Sequence, residues 1–280
     1  MTADPSSLFP GKLFISTVLD SLDTKTEMSG GMARRYLMRA GMAGILIGVL
    51  YVANFAVAEA FAEVGTGDMT QVGKIAGALT FSWALVFIYY SKSELLTSNM
   101  MVVSVGIYHK RIGWVRALRL LGLCLFGNFL GGVLVGGLLR FSTVLDGGVG
   151  EMAAHAVDHK LGYISAGVSG WGDLFVRAIL CNFLINIAML LVYNGLIKED
   201  ITKSLAMGVS VFLFAYLGFE HSVANTVFFT IVGLDTGIDV LAALANVGIA
   251  LVGNFIGGGL LIGWYYSYCN DDRKYRVVDA

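Results

Sequence analysis

Two stretches, SELLTSN at Ser93–Asn99 and GFEHSVAN at Gly218–Asn225, interrupt apolar runs at matching places in the chain. Each holds a glutamate followed five positions later by an asparagine, Glu94 with Asn99 and Glu220 with Asn225. A second asparagine comes 29 residues after each, Asn128 within GNFLGG (from Gly127) and Asn254 within GNFIGGG (from Gly253). ANF (Ala53–Phe55) and CNF (Cys181–Phe183) precede the two sets in nearly the same register. Three coincidences in one order divide the chain into two repeats.

The surroundings identify the solvent. Of 280 residues, 56% are hydrophobic and only 14% charged, against about 25% charged in soluble domains. The 36 glycines and 2 prolines suit closely packed membrane helices. A spanning helix needs about 20 apolar residues. Six stretches qualify: Tyr36–Ala60, Ile75–Tyr108, Val115–Leu139, Asp173–Tyr193, Leu205–Gly233 and Leu241–Ser267. Three spans per repeat is an odd number, so the second repeat enters the membrane from the opposite side, an architecture of channels and transporters. The expected fold is an all-α membrane protein of six transmembrane helices in two inverted repeats, about 36–140 and 170–268, with the second and fifth helices broken. Residues 1–35 and 269–280 flank this 36–268 domain.

Basic residues set the expected orientation. Lys12, Lys25, Arg34, Arg35 and Arg39 precede the first span, and Lys110, Arg111, Arg116 and Arg119 follow the second. Lys198 and Lys203 follow the fourth span, and Arg273, Lys274 and Arg276 end the chain. The other side has Lys74, Arg140 and Lys160. The positive-inside rule then puts both termini in the cytoplasm. The first 39 residues read as no secretory signal. Their apolar positions Leu8, Phe9, Leu13, Phe14, Ile15, Val18, Leu19 and Leu22 suggest a helix lying on the cytoplasmic surface. No basic run suits nucleic acid. Cys124, Cys181 and Cys269 lack metal spacing and read as packing residues; no cofactor motif is present.

Broken helices survive in a membrane only when buried in protein or lining a cavity. The bland reading of Ser93, Glu94, Thr97, Ser98 and Asn99, and of Gly218, Glu220, His221, Ser222 and Asn225, is that they satisfy the freed backbone; the functional reading adds that they line a pore. His109, His155 and His159 fall in expected loops, leaving His221 as the histidine within a span. An ionisable residue at such depth faces a cavity or a partner. Glu94 and Glu220 are expected to cap or buttress the broken helices, accepting from backbone N–H groups at the half-helix starts. An enzyme built on Glu220, His221 and Ser222 is the rival reading, weakened because adjacent helical residues point apart and no nucleophile elbow is present. The glycine-rich motifs read as helix-packing surfaces, with Asn128 and Asn254 bonding across helices or facing the pore.

In this order, ELLTSN, GN-x-x-GG, R-x-x-LCN (Arg177–Asn182), GFEHSVAN and GN-x-x-GGG resemble the formate/nitrite transporter family over about Arg34 to Tyr268. ELLTSNMM looks closest to its formate-channel branch. The resemblance implies an aquaporin-like protomer, one pore per protomer, a homopentamer and transport of a small monovalent anion: formate, with nitrite and hydrosulfide as alternatives. It places His221 at the pore centre with Thr97, Asn182 and Asn254, and adds Glu220, Ser98 and Asn99 from the matched motifs. Apolar constrictions fall by spacing on Phe81, Leu85, Leu95, Leu96, Ile185 and Phe214. It further implies a bacterial inner-membrane location and an N-terminal segment able to cover the pore mouth. The family lysine that draws anions inward falls on Ala166 here, with His159 and Lys160 as nearby candidates.

Overall fold

The computed structural model describes residues 8–64 and 67–273, so the first seven residues of the N-terminal segment and the last seven of the tail lie outside it. The described chain is helical: α1 (Lys12–Gly31), α2 (Ala33–Val64), α3 (Gly67–Phe81), α4 (Trp83–Tyr90), α5 (Leu96–Tyr108), α6 (Trp114–Leu139), α7 (Gly148–Ser165), α8 (Gly167–Tyr193), α9 (Asp200–Tyr216), α10 (Ser222–Asp235) and α11 (Val240–Asn254). A wider π-helical segment, Phe255–Trp264, then leads into α12 (Tyr265–Cys269).

Five helical stretches are long and apolar enough to cross a bilayer: Ala33–Ala62, Met69–Tyr90, Trp114–Leu139, Gly167–Tyr193 and Val240–Cys269. The expected fifth span is two pieces, α9 of 17 residues and α10 of 14, each short of the needed length by itself.

Both breaks have the same local cause. Lys92 (φ 56°) ends α4 and Gly218 (φ 67°) ends α9 in the left-handed conformation. Ser93 N–H then donates back to Ile88 C=O at 3.0 Å and Phe219 N–H to Phe214 C=O at 2.9 Å, the six-to-one bond of a Schellman stop. Glycine accommodates such a φ freely; in the first repeat a lysine accepts it, which is why only GFEHSVAN advertises its stop. After each break the residue before the new helix is extended, Leu95 at φ −110°, ψ 124° and His221 at φ −107°, ψ 112°.

The glycine motifs pack helix on helix. A Cβ on Gly131 would collide with the Gly41 carbonyl of α2, and one on Gly257 with the Ile179 carbonyl of α8. Those missing side chains let α6 and the π segment sit directly on their neighbours.

The structure revises three expectations. ANF and CNF are not symmetry mates: Ala40 and Ala178 hold equivalent positions against Asn128 and Asn254, so the mate of Asn182 is Gly44, ten residues before Asn54. His155 and His159 lie not in a loop but on α7, which no long apolar run announces. The N-terminal segment does not lie apart as a surface helix. Phe14, Val18 and Leu22 of α1 are buried against the bundle, Lys12 pairs with Asp272 at 2.7 Å, and Gly11 N–H donates to Asn270 Oδ1 at 2.7 Å.

Overpacking a close helix contact costs about 1–3 kcal/mol or more. Gly257→Val should therefore lower the thermal transition of the purified protein or abolish its folded yield. Gly137→Ala, where the new methyl meets nothing within 4 Å, should leave both unchanged. Equal melting of the two variants would refute the packing role.

Candidate functional site

Asn128 and Asn254 act as matched clamps. Asn128 Nδ2 donates to Ala40 C=O at 2.8 Å and Glu94 C=O at 2.9 Å, while its Oδ1 accepts from Leu96 N–H at 3.2 Å. Asn254 repeats this with Ala178 C=O at 2.7 Å, Glu220 C=O at 3.0 Å and Ser222 N–H at 2.8 Å. One side-chain amide thus satisfies a free carbonyl and a free N–H on either side of one residue, Leu95 in the first break and His221 in the second. The caps at the half-helix starts come from these asparagines, joined in the second by His221 Nδ1, which accepts from Ala224 N–H, so Glu94 and Glu220 buttress the breaks rather than cap them.

The glutamates have other partners. Glu94 takes the ammonium of Lys25 from α1 and the amide of Asn99 at 3.0 Å; Asn99 also donates to Tyr36 Oη at 3.0 Å. Glu220 takes Lys160 Nζ from α7 at 2.8 Å and Asn225 Nδ2 at 2.6 Å. Asn246 completes that cluster, accepting from Asn225 at 2.9 Å and donating to Lys160 C=O at 2.9 Å. A buried carboxylate needs such partners. Lys160 stands where the cation is needed, and Ala166 is an exposed residue between α7 and α8.

His221 is held at both nitrogens. Its Nδ1 accepts from Ala224 N–H at 2.9 Å, and its Nε2 lies 2.8 Å from Thr97 Oγ1. A backbone N–H can only donate, so the proton of the neutral ring sits on Nε2. Phe214 stacks on the imidazole with centroids 5.9 Å apart, and Phe81 meets Phe214 edge-on at 6.3 Å.

Three cavities run in series around this centre. A cavity of about 670 Å³ has Tyr51, Lys74, His155, His159, Lys160, Arg177 and Glu220 among its lining residues and reaches Phe81, Phe214 and His221. A gap of about 20 Å³ follows, walled by Ile47, Phe81, Ala84, Leu85, Ile88, Leu95, Ile185, Val211, Phe214 and His221. Beyond it, a cavity of about 270 Å³ is lined by Leu85, Ile88 and Leu95 and then by Lys25, Arg39, Glu94, Ser98 and Asn99.

Of the sequence-derived residues, the structure gathers Phe81, Leu85, Leu95, Ile185, Phe214 and His221 around the gap, with Thr97 bonded to His221. Glu220 lines the larger cavity and Ser98 and Asn99 the smaller one. Thr97 itself is fully buried and lines none of the three cavities, and three further residues stand elsewhere. Leu96 lines none of these cavities, and its N–H is turned to Asn128. Asn182 and Asn254 are fully buried behind the wall, Asn182 donating to Thr97 C=O at 3.1 Å and Asn254 C=O at 2.7 Å. Sequence reading missed Tyr51 and the roles of Lys25 and Asn246. The signal for Lys25 lay in Glu94 itself, since a carboxylate inside an apolar span requires a cation. Cys124 and Cys181 are buried and Cys269 is exposed.

A model of the formate/nitrite transporter family matches residues 13–268. The "Probable formate transporter" of Methanothermobacter thermautotrophicus is 31% identical, over 80% of this chain and 87% of its own length. "Formate channel FocA" of Escherichia coli (strain K12) is 29% identical, over 80% and 82%. Among solved structures, an "FNT family ion channel" superposes with a TM-score of 0.77 at 21% identity, over 92% of this chain and 99% of the other. A "Pentameric formate channel with formate bound" gives 0.64 at 23%, over 84% and 96%. With a match that runs nearly end to end, this chain belongs to the formate/nitrite transporter family.

Proposed function

We propose that the chain conducts formate across a membrane, each ion crossing with a proton as the neutral acid. The observation that carries this reading is the series of cavities: cation-bearing chambers on both sides of a small apolar gap with one imidazole in its wall. A bare anion in an apolar gap pays a large desolvation penalty, and an apolar surrounding favours the neutral acid over the carboxylate. Formic acid resembles an Asp side chain, with an aqueous pKa of roughly 4. Lys160 and Lys25 lower the cost of bringing the anion to the gap, and protonation there lowers the cost of crossing it.

His221 serves as a donor. Its Nε2 proton rests on Thr97, which is fully buried and lines none of the three cavities, and a passing carboxyl takes that hydrogen bond in place of Thr97. Protonating Nδ1 would break the bond from Ala224 N–H, so the structure favours the neutral ring and proton uptake from water in the chambers. The enzyme reading gains no support: Ser222 Oγ is buried without a hydrogen-bond partner, and His221 Nε2 is committed to Thr97.

The rest of the reading extends the family likeness. The α9 and α10 pieces join end to end to complete six crossings in an aquaporin-like protomer of two inverted repeats, with both termini cytoplasmic and a bacterial inner membrane as host. The apolar outer faces, Trp114, Val115 and Leu118 among them, meet lipid or the four other copies of a homopentamer. Lys25 and α1 border the cytoplasmic chamber. Nitrite and hydrosulfide share the weak-acid chemistry and are the competing permeants.

Stopped-flow flux in proteoliposomes tests the substrate. Formate should pass faster than nitrite or hydrosulfide, and faster at pH 5.5 than at 7.5; no formate flux from intact protein would sink the reading. Losing the donor at the gap costs about 1–3 kcal/mol, so His221→Phe should slow formate by about ten- to hundredfold, with His221→Gln slowed less and keeping the pH response. A pH response lost in His221→Gln would make the imidazole itself the proton carrier.

Lys160→Met should destabilise the folded protein by about 3–5 kcal/mol, because Glu220 is left buried and unpaired. Lys160→Met/Glu220→Gln should recover the melting temperature yet still take up formate poorly at low concentration. Full low-concentration uptake in the double variant would remove Lys160 from anion recruitment.

A further inference from the structure

The gap beside His221 has a volume of about 20 Å³, room for about one water molecule. Formic acid is larger than water, so on the transport reading the wall must yield at each crossing. How far it yields depends on what stands behind it. Phe81 borders both the gap and the larger chamber, so open space lies on one side of its ring. Tyr51 occupies part of that side. It lines the larger chamber but not the gap, and meets the Phe81 ring edge-on with centroids 5.0 Å apart. We propose that Tyr51 is a positioning residue that sets the width of the gap, holding Phe81 inward so that formic acid passes and monocarboxylic acids with a longer carbon chain are held back. This rests on the transport reading above and assigns the specificity of the same site.

Tyr51 is itself well supported. Its ring stacks on Phe228 of α10 at 4.4 Å with an interplanar angle of 8°. Phe55, one turn along α2, stacks on both, 5.6 Å from Tyr51 and 5.2 Å from Phe228. Phe228 is buried and lines none of the three cavities. A backbone contact fixes α2 against α3: a Cβ on Gly77 would stand 2.7 Å from the Asn54 carbonyl oxygen. About one turn from that contact come Phe81 on α3 and Tyr51 on α2. Phe81 is the last residue of α3, where the Ser82 hydroxyl turns back to Leu79 C=O at 2.6 Å before α4 begins. A ring at such a joint depends on its neighbours for its position. From Phe81 the series continues edge-on to Phe214 at 6.3 Å, and from Phe214 to the stacked His221 ring at 5.9 Å. Edge-on and stacked rings at such separations attract, and a close-packed interior transmits a displacement instead of absorbing it. Support at Tyr51 is therefore felt at the wall that the permeant touches.

The test is uptake of formate and of acetate, measured separately in proteoliposomes of the full chain at one pH. Each variant's acetate-to-formate ratio is taken relative to that of the wild type, which removes the different acidities of the two acids. One added carbon at an apolar wall changes passage by about 10- to 200-fold. Tyr51→Leu shortens the support and should raise the ratio about tenfold, while Tyr51→Phe keeps the ring and should hold the wild-type ratio. Phe228→Leu removes the ring behind Tyr51 and should raise the ratio by less, about threefold. Phe229→Leu, next along α10 and also buried but outside the ring series, should lower the melting temperature without moving the ratio. If Tyr51→Leu gives no intact protein, Phe228→Leu carries the test. A ratio that fails to rise in the Tyr51 and Phe228 leucine variants, with formate still conducted, overturns the role of Tyr51 and leaves the transport reading standing. An equal rise in Phe229→Leu would mean general loosening, and an equal rise in Tyr51→Phe would make the hydroxyl the discriminating group; either overturns it too. If the wild type conducts no formate, both readings fall together.

Discussion

The structure depends on one side-chain amide used twice. A helix broken inside an apolar bundle leaves carbonyls and N–H groups that lipid cannot satisfy. Asn128 and Asn254 each take the carbonyl before and the N–H after a single residue, and tie that residue to a neighbouring helix through Ala40 or Ala178. The residue between the clamped groups has no freedom to retreat, so its side chain becomes part of the wall of the gap. The two clamps deliver Leu95 and His221 to the same constriction.

The clamp is symmetric and its cargo is not. Leucine at one site makes the gap apolar, while histidine at the other adds a single donor. A second imidazole in place of Leu95 would make the gap polar from both sides. The asymmetry also explains Thr97, whose symmetry mate is Val223, a residue unable to bond a ring nitrogen. Chemistry enters one repeat as an imidazole and the other as the hydroxyl that receives it.

Much of this was legible from the chain because the repeat writes itself twice. The matched glutamates, the spacing to Asn128 and Asn254 and the glycines beside them mark breaks, clamps and packing faces without any coordinates. Other features were illegible for physical reasons. An asparagine in an apolar helix has the same appearance whether it faces a pore or holds the backbone behind it, so Asn182 and Asn254 were expected on the wall itself. Leu96 and Leu95 are adjacent leucines, and nothing in their identity tells which one lines the gap. Helix α7 carries Glu151, His155, Asp158, His159 and Lys160 and so reads as a connecting loop. Lys25 and Lys160 come from outside the repeats, from the segment before the first and the segment between the two, and no internal match points to them.

That origin matters for how a channel of this kind would work. Each lysine already holds a glutamate, Lys25 with Glu94 and Lys160 with Glu220, so neither is an unopposed trap for an anion. On the transport reading, an arriving carboxylate shares the ammonium with a resident one, and the like charge of that resident keeps the site weak. Conduction requires binding favourable enough to enter and weak enough to leave. A free lysine at the same depth would hold the anion and also pay its own desolvation, whereas the paired lysine has that cost already offset by the glutamate. On that reading the ion pairs both stabilise the two broken helices and limit the affinity of the chambers they line, which makes the resting stability of the fold and the speed of release consequences of the same contacts.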